Sequence, residues 1–163
     1  MLLCAAGLAL CGCSSPGSNL LPPLNSGATP SQSEHPVAVA LPQIVGAPQN
    51  FLEPFIRQLN QSATAHNVAL LVDPSLDADY TLRGYFISNR DGDGVKLLYV
   101  WDVLDKSGTR LNRVEGEERI AVSGSSDAWA AVPANVQSAI ADRTITGFVA
   151  AVQPSQQARK AKH

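Results

Sequence analysis

Two four-residue segments, Asp91-Gly92-Asp93-Gly94 and Asp105-Lys106-Ser107-Gly108, fix most of what this chain can fold into. Each places Asp first and Gly fourth, the arrangement of a type I β-turn. Each interrupts residues that favour strands. Tyr80 to Asn89 precedes the first turn, Val95 to Leu104 separates the two, and about Thr109 to Val122 follows the second. Strands joined by turns this short pair antiparallel. The middle of the chain is therefore expected to be a three-stranded meander.

On the amino-terminal side, Val37 to Val45 is an apolar β-type run ended by Gly46 and Pro48. Phe51, Leu52, Phe55, Ile56, Leu59, Ala63 and His66 then recur at helical spacing. Pro54 is tolerable in that helix only near its first turn. Val68 to Val72 is a short buried-strand run closed by Asp73-Pro74. After the meander a helix is expected from about Pro133 to Val152, with Val136, Ile140, Ile145, Phe148 and Val152 as its buried stripe. The order β-α-β-β-β-β-α implies an α+β sandwich. A mixed sheet of about five strands begins with a parallel β-α-β unit, and both helices pack on one face.

This domain, residues 37–152, does not account for the start of the chain. Residues 2 to 10 are an apolar run too short to span a bilayer, which takes roughly 20 apolar residues. They match the apolar part of a secretory signal. Leu10-Cys11-Gly12-Cys13 resembles the bacterial lipobox, with a small residue at −2, Gly at −1 and Cys at +1. The resemblance implies that residues 1–12 are a lipoprotein signal peptide, that the Cys13 thiol carries diacylglycerol, and that the new amine can be acylated too. No Lys or Arg precedes the apolar run, so the true start is expected upstream of Met1. The three cysteines, Cys4, Cys11 and Cys13, all fall in this segment. A mature domain without thiols suits an oxidising compartment. Ser14, rather than Asp, follows the lipidated position, which under the sorting rule of that family implies the outer membrane, facing the periplasm.

Residues 13–36 then form the lipidated cysteine and a linker rich in Ser, Pro, Gly and Asn. Such a composition cannot bury enough apolar surface to offset ordering entropy. Its root-mean-square reach would be on the order of 25 Å. Residues 153–163 carry Arg159, Lys160 and Lys162 and are expected to be a basic disordered tail.

Within the domain, Asp79-Tyr80-Thr81-Leu82-Arg83-Gly84 and Tyr99-Val100-Trp101-Asp102-Val103-Leu104-Asp105-Lys106-Ser107-Gly108 resemble a "D-Y-x-x-x-G … x-V-x-D-x-x-T-G" run. That run occurs in periplasmic domains related to the TolB amino-terminal domain and the curli-secretion lipoprotein, and in many small proteobacterial lipoproteins. The resemblance implies an envelope lipoprotein with this α+β fold. Pore formation is not implied, because the chain has no further alternating strand pair to span a membrane.

No catalytic constellation emerges, and a non-enzyme is expected. The histidines His35, His66 and His163 have neither metal-ligand nor triad spacing. His66 reads as the carboxyl-terminal residue of a helix. Asp91 and Asp93 lack the later carboxylate that a calcium loop needs, so a turn is the better account. No cofactor or metal site is expected. A net charge of −2 provides no basic field for nucleic acid.

The strand Lys96–Leu104 is apolar on both faces. Helices on one side cover only one of them. The face bearing Leu97, Tyr99, Trp101 and Val103 is the candidate partner surface, open to another protein or to a second copy. Asp102 is expected to pair across strands with Arg83 or Arg113. An open sheet edge offers strand addition as a further contact mode. The leading expectation is thus a membrane-anchored, non-enzymatic lipoprotein that binds or scaffolds another envelope component. The alternative is a periplasmic lipoprotein that binds a small molecule or ion.

Overall fold

The computed structural model describes residues 36–73, 76–121 and 127–161. Cys13, its lipobox and the linker lie outside the described residues, as do His35 and His163. The elements are β1 (Val37–Ala40), α1 (Gln49–Ala65), β2 (Val68–Leu71), β3 (Tyr80–Asp91), β4 (Gly94–Asp105), β5 (Arg110–Ala121) and α2 (Ala134–Lys160). The sheet order is β2-β1-β3-β4-β5. β1 runs parallel to both β2 and β3, while β3, β4 and β5 are antiparallel. This is the expected mixed five-stranded α+β architecture. No helix among the described residues is long and apolar enough to cross a membrane.

The two turns set the register by different means. Asp91 pairs with Gly94, leaving Gly92 and Asp93 as the loop, and Gly92 sits at φ 59°. Glycine with positive φ at the first central position is the mark of a type II′ turn, not the expected type I. The reason is twist: a primed turn matches two long paired strands without splaying them. The second turn is type I as expected. Gly108 N–H donates to the Asp105 carbonyl at 2.9 Å, and Gly108 takes φ 84°. Asp105 Oδ1 accepts from the Ser107 hydroxyl at 2.6 Å, the Ser107 N–H at 2.8 Å and the Thr109 N–H at 2.9 Å. These bonds, the Ser107 hydroxyl's first, hold the Asp105 carboxyl below the usual range. Just beyond, Val103 pairs with Asn112 and Leu104 with Arg110, so Leu111 is the extra residue of a bulge.

Both helices cover one face of the sheet. From α1, Phe55 stacks on Trp101 of β4 with ring centroids 5.9 Å apart, and meets Phe86 of β3 edge-on at 5.1 Å. From α2, Phe148 meets Tyr80 edge-on at 5.8 Å. Ile140, Ile145, Phe148 and Val152 are buried and Val136 is partly buried, as the spacing predicts. Pro54 falls in the second turn of α1, so Asn50 loses the amide partner its carbonyl would otherwise have. Asn50 is exposed, and water can take that role.

α2 departs from expectation at its far end. It runs to Lys160 instead of stopping near Val152, with Pro154 inside it. Residues 153–160 are helical, not a disordered tail. Gln, Ala, Arg and Lys are good helix formers. Pro154 removes one hydrogen bond on an exposed face without ending the helix.

Candidate functional site

The strand β4 decides which face of the sheet is free. Val95, Leu97, Tyr99, Trp101 and Val103 alternate inward, and none of them is more than 1% exposed. The expected partner surface, Leu97, Tyr99, Trp101 and Val103, is therefore the interior of the molecule. This is a correction with a clear steric cause. Trp101 lies opposite Gly84, and Tyr99 lies opposite Gly116. A Cβ on Gly84 would overlap the Trp101 ring, and one on Gly116 would overlap the Tyr99 ring. Large rings over glycines need room on that side, and the helices close over them. The Tyr99 hydroxyl meets Arg143 of α2, whose Nη1 also donates to Glu118 at 2.8 Å.

Among the described residues, the open face is the opposite one. Tyr85 is 40% exposed and Ile87 55% exposed. They pair directly with Val100 and Leu98, both half-buried. Val45, also exposed, bridges to Tyr85. Along β1 and β2, alternation puts Ala38, Ala40, Ala69 and Leu71 on this side. The result is an apolar strip across the sheet.

Charges border the strip where β4 meets β5. Arg113 grips Asp102 in a two-pronged bond, Nε to Oδ1 at 2.8 Å and Nη2 to Oδ2 at 2.9 Å. Of the two cross-strand partners expected for Asp102, Arg113 makes the bond, while Arg83 sits opposite it in register. Arg110 adds a contact at 3.7 Å. The Arg113 bond, helped by the nearby charges of Arg110 and Arg83, holds the Asp102 carboxyl below its usual range. One carboxylate thus faces three guanidiniums. At the other end, the Glu117 carboxylate is shared by Lys96 at 2.8 Å and Arg119 at 3.0 Å, two cations on one anion.

A second feature lies at the end of the sheet where β1 and β2 begin. A cleft of about 630 Å³ opens between that end and the last turns of α2. Its walls include Val37, Val68, Tyr80, Phe148, Val149 and Val152. Asn67, His66, Asp79 and three α2 glutamines, Gln153, Gln156 and Gln157, supply its polar groups. His66 caps the end of α1, its N–H bonding to Ala63 and Ser62 carbonyls at 3.0 and 3.2 Å. Asn67 follows at φ 56°, the left-handed conformation that reverses a chain after a helix. It then accepts from Val37 N–H at 3.1 Å.

Neither feature is among the sites expected from the sequence, yet two signals for them are present in it. Leu98 and Val100 share a face with Lys96 and Asp102, which marks that face as the wet one. The α2 glutamines fall in residues 153–163, which are expected as a disordered tail, whereas α2 continues through Pro154 to Lys160. Among the described residues no three His, Cys, Asp or Glu side chains gather as a metal site. Asp91 and Asp93 belong to the β3–β4 hairpin.

No family model and no curated protein sequence matches the chain. Several solved structures do. One is PelC from Paraburkholderia phytofirmans, solved as a dodecamer, at 16% identity over 67% of this chain and 89% of that one, with a TM-score of 0.47. Another is a Xanthomonas campestris protein of the DUF330 family, at 11% identity over 78% and 93%, TM-score 0.45. A third is a candidate lipoprotein from Caulobacter crescentus CB15, at 15% identity over 71% and 91%, TM-score 0.39. These are likenesses of chain fold, and no role is carried over from them.

Proposed function

We propose that the chain is a non-enzymatic lipoprotein of the bacterial envelope, anchored through lipid on Cys13 and facing the periplasm from the outer membrane. Its domain binds another envelope protein. The observation that carries the binding role is the uncovered sheet face: an apolar strip through Tyr85, Ile87, Leu98 and Val100, bordered by Arg83, Arg110 and Arg113. Exposed apolar surface rimmed by polar groups is a mark of contact sites. The surplus of guanidiniums selects a partner whose apolar patch is flanked by carboxylates, because complementary charge steers encounter and fixes register.

The test is site-specific photocrosslinking in cells that make the protein. Probes at Tyr85 and Ile87 are expected to trap one envelope protein, and a probe at Arg57 on exposed α1 is not. Replacing Arg83 and Arg110 by Glu should suppress the product. Equal trapping from Arg57, indifference to the charge reversal, or a product containing only this chain would overturn the reading. Metabolic labelling with palmitate tests the anchor separately, and Cys13→Ser should abolish the label.

A further inference from the structure

α2 passes its last core contact at Val152 and keeps going to Lys160. Beyond Val152 the helix adds no further residue to the hydrophobic core among the described residues. What the extension does is complete a wall: Gln153, Gln156 and Gln157 stand across the cleft from Asn67 at the start of β2. The floor between them is Tyr80, edge-on to Phe148, with Val149 and Val152 beside it.

The chemistry of this cleft is specific in three respects. Its floor is apolar and aromatic. Its rim is made of amides and an imidazole, groups that both donate and accept hydrogen bonds. Among the described residues that line it there is no Lys or Arg, and Asp79 is the one carboxylate. Among those residues an anion finds no countercharge. In addition, Tyr80 is 3% exposed and its hydroxyl is buried without a hydrogen-bond partner among the described residues. Leaving a buried hydroxyl unbonded is costly, so proteins rarely leave one at a cleft wall unless something meets it.

We propose that this cleft is a binding site for an uncharged, mostly apolar small molecule that ends in a hydroxyl or carbonyl group. The apolar body lies over Tyr80, Phe148 and Val149. The polar end bonds to the Tyr80 hydroxyl and to the amides of Asn67 and Gln153. The volume falls within the usual range for small-molecule sites. The site is separate from the sheet face, and it does not depend on the lipid anchor.

The experiment uses the whole chain with Cys4, Cys11 and Cys13 replaced by Ser, in detergent-free buffer, titrated with octan-1-ol and followed by amide NMR. The expected result is a saturable shift of the Asn67, Tyr80, Val149 and Gln153 amides. Octanoate should bind at least several-fold more weakly. Tyr80→Phe should weaken octan-1-ol roughly three- to tenfold, the value of one hydrogen bond. Gln156→Trp, at the rim, should block binding while leaving the rest of the spectrum in place. Shifts that never saturate, shifts spread over the sheet face, octanoate binding as well as octan-1-ol, or an unchanged affinity in both variants would overturn the proposal.

Discussion

Replacing Gly84 by Ala tests the core geometry through the sign of its effect. The backbone at Gly84 is ordinary strand with no positive φ. On backbone grounds alone the change should stabilise, by about 0.4–1 kcal/mol, because alanine has less freedom to lose on folding. Packing predicts the reverse. The new methyl would occupy the space of the Trp101 ring. That ring cannot retreat, because Phe55 stacks on it at 5.9 Å and Phe86 abuts it edge-on at 5.8 Å. Overpacking of a fixed core costs about 1–3 kcal/mol. The net expectation is a loss of about 1–2 kcal/mol, or roughly 3–8 °C in Tm for a domain of this size. Urea unfolding supplies the measurement, with the slope checked for constancy so that the midpoint reports stability. A double-mutant cycle with Trp101→Leu isolates the cause: once the ring is gone, Gly84→Ala should cost nothing. A Gly84→Ala protein as stable as the parent, or a loss that persists beside Trp101→Leu, would refute the packing of the Trp101 ring over Gly84.

Three further outcomes follow from other parts of the molecule. Asp102, 14% exposed and gripped by Arg113, has its carboxyl held low. A depressed carboxylate adds stability above its unfolded pKa, near 4, and loses it as pH falls through the folded value. Asp102→Asn should therefore cost about 1 kcal/mol at neutral pH, a difference that shrinks below pH 4 in urea melts. Gly92→Ala should cost about 1–2 kcal/mol from its positive φ alone, since a Cβ there meets nothing, and Gly92→Asn should cost less. Ile87→Ser, on the free face, should leave the urea midpoint within about 0.5 kcal/mol of the parent while removing the photocrosslink from Tyr85.

The order of elements and the antiparallel meander were legible because they depend on local chemistry. Two Asp-x-x-Gly segments mark where the chain reverses, and the Phe51–Ala63 and Ile140–Val152 stripes have helical period. Sidedness had one local clue, Lys96 and Asp102 on the face of Leu98, and otherwise was not local. Leu97 and Leu98 have the same composition, and alternation alone cannot say which of them meets a helix. The decision rests on pairs distant in sequence: Gly84 under Trp101 and Gly116 under Tyr99. The end of α2 was obscured for a different reason. Proline weakens a helix interior, but on an exposed turn the missing bond is one that water can replace, so Pro154 did not act as a stop.

The arrangement also bears on which surface can receive a partner. Strand addition needs an edge with unpaired backbone groups. β2 is the edge on one side, and it is four residues long. β5 is the edge on the other and spans Arg110–Ala121, long enough to recruit a strand. Its sequence works against that. Arg113, Glu115, Glu117 and Arg119 all stand exposed along it, and the bulge at Leu111 breaks its regularity. Charged side chains and bulges are how sheet proteins protect their edges. The same charges form the β5 border of the broad face: beside them, across β4 and β3, run Leu98, Val100, Tyr85 and Ile87. On the proposed function, a partner would be turned away from the edge and received on the face, with Arg83, Arg110 and Arg113 marking one border of the contact. The charges and the bulge disfavour strand addition at β5, so the proposed contact is one made by side chains, and its specificity would be set by the carboxylates a partner can offer to those arginines.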